Sequence, residues 1–330
     1  MTWRLKMLAA PLAVLAVAAC YSMTSPLVAA EKPGAAQLRP PLGLPPLPDD
    51  LAAPAPDKVE LGRRLFFERR LSFNNTLSCG MCHIKDDAFA STQSKLSIGM
   101  EGRTLRRNAP TVLNVAYQKS LFHDGRETHF KVQAWGPLLD PDEMANPSIG
   151  YVLDRLAGLD DYAQAFEASY PGEGISIRTV GDAFALYEAT LLSGNSRFDR
   201  WYFGSEKDAL TVSEQSGFSI FTGKGGCSNC HEIGKTSALF TDQKFNNTGI
   251  GYRAVMKADE MLTVPLAPGV EVKIERSEID AVSETLKNDI GRFAISHRPE
   301  DRWAYKPPSL RNVSRTFPYM HDGSIPTLEA

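Results

Sequence analysis

The chain has 330 residues and a formal net charge of −3, from 36 Lys and Arg against 39 Asp and Glu. With 43% hydrophobic and 23% charged residues the composition is globular, which excludes wholesale disorder and fibrous structure. The small net charge, without basic or acidic blocks, argues against nucleic acid as a partner, and the length allows two ordinary domains.

Residues 1–30 read as an export signal. Arg4 and Lys6 precede an apolar run from Met7 to Ala19, charge followed by a short greasy stretch. That run falls short of the roughly 20 apolar residues a spanning helix needs. Val17-Ala18-Ala19-Cys20 resembles a lipoprotein box, which would leave Cys20 lipidated. Val28-Ala29-Ala30 fits ordinary signal peptidase equally well, so both alternatives stay open. Residues 31–56 are rich in Pro and Ala, with Pro40, Pro41, Pro45, Pro46, Pro48, Pro54 and Pro56. They read as an extended linker that buries little.

The body starts at Asp57, which with Glu60 reads as a capping box opening an amphipathic helix. Next comes Cys79-Gly80-Met81-Cys82-His83, and far downstream Cys227-Ser228-Asn229-Cys230-His231. Both are C-x-x-C-H. On one helical turn the two thiols face the same way and can add across the two vinyl groups of a haem. The adjacent histidine then reaches the iron as proximal ligand. A disulfide or redox pair would not call for the histidine. A zinc site wants four ligands around one metal, and these pairs sit in separate halves of the chain.

The motifs are the centre of a longer repeat. Glu60, Gly62, Leu65 and Phe66 precede the first, and Glu214, Gly217, Ile220 and Phe221 the second. Pro110-Thr111-Val112-Leu113-Asn114-Val115 leads after seven residues to His123-Asp124-Gly125. Pro308-Ser309-Leu310-Arg311-Asn312-Val313 leads after the same gap to His321-Asp322-Gly323. Between the copies, Val152 with Leu156, Tyr162 with Phe166, and Val180, Phe184 and Leu191 recur at helical spacing. Gly194 reads as a C-cap. The clearest strand signal is a hairpin around Val264 to Ile274, inside a long segment, 235–302, that reads as a solvated insertion. Ser324 to Glu329 reads as the first turn of a helix cut before it forms, so the chain reads as truncated.

The expected fold is therefore mainly α: two cytochrome c-like domains related by duplication, residues 57–205 and 206–330, with one c-type haem in each.

The order of these motifs, C-x-x-C-H, R-N-A-P-T, F-x-D-G-R, G-P-L-x-x-P-x-E-M, C-x-x-C-H and S-L-R-N-V…P-Y-M-H-D-G, resembles the bacterial dihaem cytochrome c peroxidases, in particular their MauG-like branch. The resemblance spans about residues 57 to 330. It implies a periplasmic oxidoreductase, free or anchored through Cys20, that reduces hydrogen peroxide to water. Electrons from a small cytochrome c or cupredoxin would pass through the C-terminal haem, held by Cys227, Cys230 and His231. They would reach the peroxidatic N-terminal haem, held by Cys79, Cys82 and His83. It also implies Gln133 and Glu143 as the distal pair. A carboxylate over the iron moves a proton between the peroxide oxygens, and a neighbouring amide orients the peroxide.

Three further features follow from the resemblance. In the better-known members a histidine after the first motif caps the resting peroxidatic haem. Here the only candidate near that place is Met100, which leaves an open site or a methionine-capped one. The family's interhaem tryptophan is replaced by His123, for which a structural hydrogen bond shared with His321 is an equal reading. A calcium ion is implied at Asn108, Thr316 and Pro318, by oxygen ligands of the kind calcium accepts. The second haem's sixth ligand is left unassigned. Family members commonly form homodimers, but no apolar stripe here marks an interface. Two other functions stay in view: MauG-like oxidation of side chains on a partner protein through a high-valent dihaem state, and non-catalytic dihaem electron transfer.

Overall fold

The protein is described from a computed structural model, in which residues 37–256, 261–267, 270–275, 278 and 288–330 are placed. The export signal with Cys20, and Lys257, Glu260 and Arg276 of the insertion, lie outside the described residues.

Helix α1 (Pro56–Phe66) opens on a proline whose preset φ suits a first turn. The expected capping box is absent. Ala55 is the N-cap with no side-chain cap bond, and Glu60 turns instead to Arg63, 2.7 Å away along the helix. The longer helices that follow the first motif in this half are α2 (Ile149–Ala157), α3 (Asp160–Ser169) and α4 (Ile177–Ala189). Ser176 and Thr179 form a true capping box on α4. That helix ends at Thr190, so Gly194 is not its cap.

The recurring apolar positions all turn inward. Leu61, Leu65 and Phe66 of α1 meet Val152 and Leu156 of α2, Tyr162 and Phe166 of α3, and Val180, Ala183 and Phe184 of α4. Helices α1 and α4 cross closely because of Gly62. A Cβ there would stand 1.9 Å from the carbonyl oxygen of Ala183, so the glycine of the G-x-x-L-F pattern is set by helix crossing.

The proline-rich segment differs from its reading as a linker. Leu44, Leu47 and Leu51 are buried and pack with Ala116, Tyr117, Leu186 and Ala189. Full burial of a leucine stabilises by about 1.5–3 kcal/mol, so residues 37–56 form a strap that helps hold the body. Prolines set its extended course, and the leucines between them supply the contact.

Beyond residue 206 the packing changes. The buried hydrophobic side chains among the described residues there are Ala238, Ala304 and Tyr305. Helix α5 (Val212–Thr222) is well capped by Thr211 and Glu214, yet none of its residues is buried, and Val212 is 81% exposed. The insertion contains the expected hairpin. Strands β1 (Met261–Ala267) and β2 (Val270–Glu275) pair antiparallel from Met261 opposite Glu275 to Ala267 opposite Val270. Residues 324–330 form no helix, and Tyr319 and Ile325 bridge backbone to backbone.

The two downstream repeat blocks have matching local geometry. Asn114 and Asn312 both take left-handed conformations, φ 60° and 59°, before single 3-10 turns at Val115–Tyr117 and Val313–Arg315. Bridges Leu121 to Glu127 and Tyr319 to Ile325 follow at equivalent places.

Candidate active site

The first C-x-x-C-H forms one helical turn, Cys79–Cys82, with His83 as its C-cap. Neither cysteine is in a disulfide. The His83 ring is aimed by its Nδ1, which lies 2.9 Å from the Pro110 carbonyl oxygen and 3.3 Å from that of Phe89. Donation from Nδ1 leaves Nε2 as the free electron pair, the arrangement an iron ligand needs. Burial holds the imidazole below its ordinary pKa, hence neutral.

Cys79, Cys82 and His83 together line one cavity. Phe66, Leu77, Leu105, Val112 and Pro137 supply apolar walls. Gln133, Glu143, Met144 and Glu188 also line it. The fold thus brings the sequence-predicted pair Gln133 and Glu143 into the cavity of the first motif, from a segment about fifty to sixty residues downstream.

Electrostatics set Glu143 apart from an ordinary surface acid. Burial pushes its carboxyl up to about 7, and the nearby Asp140 and Asp142 push the same way while the Arg126 charge opposes them. A carboxyl poised near neutrality serves as acid or base at working pH. Arg126 is itself held over the Phe122 ring, 3.5 Å from its centroid, and pairs with Asp124 at 3.2 Å.

Met100 is buried but is not among the residues lining this cavity. Its backbone N–H donates to the Asp142 carbonyl at 2.9 Å, tying its loop to the segment that carries Glu143.

The second motif follows the same plan with less protein around it. His231 Nδ1 lies 2.8 Å from the Phe240 carbonyl oxygen. Beside it, Phe198, Phe218, Phe221, Phe240, Leu310 and Val313 line an open cleft of about 450 Å³. An open aromatic cleft next to C-x-x-C-H, in a half whose described residues include few buried apolar side chains, fits a large flat apolar group. The first cavity fits the same group through its paired thiols, oriented histidine and apolar walls.

A polar core joins residues of the two halves. Arg107 pairs with Asp289 at 2.6 Å and Asp124 at 2.7 Å, so the insertion is anchored at this end rather than wholly solvated. Tyr305 stacks on His321, centroids 3.7 Å apart. The two repeat-related histidines do not share one side-chain bond. His123 Nε2 donates to the Asn108 carbonyl at 3.0 Å, whereas the His321 backbone carbonyl accepts from the Asn108 N–H at 2.8 Å. Asn108 is buried, and its amide nitrogen donates to the Lys95 and Ser91 carbonyls at 3.1 and 3.3 Å. The Thr316 hydroxyl donates to Val313 at 3.5 Å. Among the described residues no cluster of three or more His, Cys, Asp or Glu is grouped to hold a metal.

Sequence reasoning missed Glu188 and the Arg107–Asp289 pair. A signal existed for Glu188: it falls four residues after Phe184 on the apolar stripe of α4, an acid at a core position. None existed for Arg107 and Asp289, which are 182 residues apart.

Comparison with known proteins agrees with this geometry. The family model described as di-haem cytochrome c peroxidase matches residues 56–207. The chain is 35% identical over 278 residues to the methylamine utilization protein MauG of Methylorubrum extorquens, covering 83% of this chain and 67% of that protein. It is 34% identical to the cytochrome c peroxidase Ccp of Escherichia coli, covering 86% of this chain and 54% of the relative. It therefore spans about two thirds of one and about half of the other. Among solved structures, a MauG-like protein associated with microbial copper homeostasis superposes with a TM-score of 0.67 at 31% identity, over 88% of this chain and 79% of that one. With this sequence identity, motif order and cavity chemistry in agreement, the chain belongs to the MauG-like di-haem cytochrome c peroxidases, a family of peroxidase-type oxidoreductases built on c-type haem.

Proposed function

We propose that this is an exported, periplasmic dihaem peroxidase that reduces hydrogen peroxide to water. Residues 57–205 and 206–330 serve as duplicated cytochrome c-like halves, each carrying one haem, at Cys79-Cys82-His83 and Cys227-Cys230-His231. Electrons from a small cytochrome c or cupredoxin enter through the second half and are used in the first. The observation that carries this reading is the Glu143 carboxyl, poised near neutrality in the same cavity as the first motif and Gln133.

A c-type haem supplies the iron at which peroxide is reduced. The chain's own residues do the rest. The Gln133 amide hydrogen-bonds peroxide and orients it. The Glu143 carboxylate accepts a proton from one peroxide oxygen and returns it to the other, so that the leaving oxygen departs as water. Apolar walls at Phe66, Leu105 and Pro137 restrict solvent and so strengthen these polar contacts. Oxygen ligands at Asn108, Thr316 and Pro318 are proposed to hold a calcium ion that stiffens the polar core.

A second reading, oxidation of side chains on a partner protein, is favoured by one observation: Met100 stays out of the cavity wall, which suits a permanently open site. Ferric EPR of the matured full chain tests both. A high-spin signal lost on adding one equivalent of peroxide, with steady peroxide consumption once a reduced small cytochrome is supplied, is the outcome expected for the peroxidase. Loss of the signal without donor-dependent turnover would favour the protein substrate. Two low-spin signals indifferent to peroxide, before and after one-electron reduction, would leave only an electron carrier.

A further inference from the structure

Gln133 reaches the cavity of the first motif from a tight turn, residues 129–135, in which its own N–H donates back to the His129 carbonyl at 3.2 Å. A side-chain amide on a turn is oriented only as well as the turn is held. This one is held on α4 at three points. At Gly181 the two backbones touch, because a Cβ there would stand 1.9 Å from the Lys131 carbonyl oxygen. The buried Trp135 donates its indole N–H to the Ile177 carbonyl at 3.3 Å. The Lys131 ammonium lies 2.9 Å from the buried Asp182, whose other oxygen accepts from the Tyr170 hydroxyl at 2.9 Å. The same ammonium lies 3.0 Å from Asp50 of the strap, and Phe130, its neighbour in sequence, packs against the cluster of strap leucines. One lysine thus joins the strap, the turn and α4, two residues from Gln133. Ion pairs of a half-exposed lysine add little to stability. What this one fixes is the place of a turn.

We propose that Lys131, clamped between Asp50 and Asp182, is a positioning residue for Gln133. It fixes the turn so that the amide meets peroxide in one orientation, and it makes the strap a working part of the distal site. The inference rests on reading Gln133 as the peroxide-orienting amide. Lys131 itself is not among the residues lining the cavity, so it acts only through the backbone that carries Gln133. The physical cause is geometric. A hydrogen-bond donor helps a reaction only within a narrow range of distance and angle, and a displacement of about 1 Å can cost on the order of 10²-fold in rate.

The test is a double-mutant cycle on the matured full-length protein, with both haems confirmed by mass. Two quantities are read: the stopped-flow rate of the spectral change on mixing with peroxide, and hydrogen–deuterium exchange of the peptide covering residues 129–135. Gln133→Ala is expected to slow the reaction by about 10²-fold, and Lys131→Met by about tenfold. Lys131→Met should slow it no further once Gln133 is alanine, and Lys131→Arg should restore most of the wild-type rate. Exchange in the 129–135 peptide should quicken in Lys131→Met and stay near wild type in Lys131→Arg. A Lys131→Met protein with wild-type rate and exchange overturns the inference. So does a slowing that persists at full size in the Gln133→Ala background, because the lysine would then act on the fold at large. A wild-type rate in Gln133→Ala would instead overturn the reading of Gln133, and this inference with it. If Lys131→Met does not fold with both haems, Asp50→Asn decides, since it alters only the exposed arm of the clamp. A slower reaction with quicker exchange is expected there, and wild-type values of both overturn the inference.

Discussion

Arg311 and Asp199 face each other in a two-pronged ion pair, each guanidinium Nη 2.9 Å from one carboxylate oxygen, with side chains 5% and 0% exposed. Burial opposes ionisation of Asp199, and the Arg311 guanidinium overcomes it, holding the carboxyl below its ordinary range. The same guanidinium donates to the Gly43 carbonyl at 2.6 Å and the Ala238 carbonyl at 2.8 Å. One side chain thus ties together the strap, the end of the first half and the second motif's surroundings.

Breaking one partner of this pair leaves the other charged and buried. Arg311→Met or Asp199→Asn is expected to destabilise the protein by about 3–5 kcal/mol, measured as a lower denaturant midpoint. Gly43→Ala attacks the same point from the strap. Its φ is +85°, and a Cβ would stand 1.8 Å from Asp199 Oδ1, so a loss of at least about 1 kcal/mol is expected. Unchanged midpoints in all three would show that the strap does not hold the body.

Glu143→Gln is expected to lower peroxide turnover by about 10²- to 10⁴-fold, the range for loss of a positioned acid–base group. The carboxylate form is the one that accepts the peroxide proton, so wild-type kcat/KM should rise with pH through about 7, where Glu143 ionises. Arg126 holds that value down. Arg126→Leu should therefore move the rising limb to higher pH, and a pH–rate profile identical to wild type would remove Arg126 from the site's electrostatics.

Met100→Leu is expected to leave the ferric EPR and optical spectra of both haems as in wild type, because Met100 does not line the cavity. Conversion of a low-spin signal to a high-spin one would instead identify Met100 as an axial ligand.

The two motifs should be separable by mass and by stability. Cys79→Ala with Cys82→Ala is expected to leave one haem per chain and abolish peroxide consumption, while the core of α1 to α4 keeps the first half folded. Cys227→Ala with Cys230→Ala should also leave one haem. Here the second half should become protease-sensitive, because its described buried hydrophobic residues are only Ala238, Ala304 and Tyr305 and the proposed haem would supply its main apolar core. Equal protease resistance in the two variants would count against that view of the second half.

Much of this protein was legible before any fold was known, because its chemistry is local. Two thiols and a histidine within five residues are juxtaposed by a single helical turn, whatever surrounds them. The buried pairs Val152 with Leu156 and Val180 with Phe184 were readable from helical period for the same reason. Periodicity reports a face and not what the face meets, so the packing of the strap is not legible in it. Its prolines advertise extension, while the burial of Leu44, Leu47 and Leu51 depends on Ala116, Tyr117 and Leu186 far along the chain.

By itself, then, the sequence determined the two C-x-x-C-H motifs, their repeated context and the family, each encoded over short spans. Tertiary structure alone decided which carboxyls share the cavity of His83, that Met100 lies outside its wall, and that Arg311 finds Asp199. Those relations join residues tens to hundreds of positions apart. Burial and electrostatic coupling, which set the behaviour of Glu143 and Glu188, exist only once the chain has closed around them.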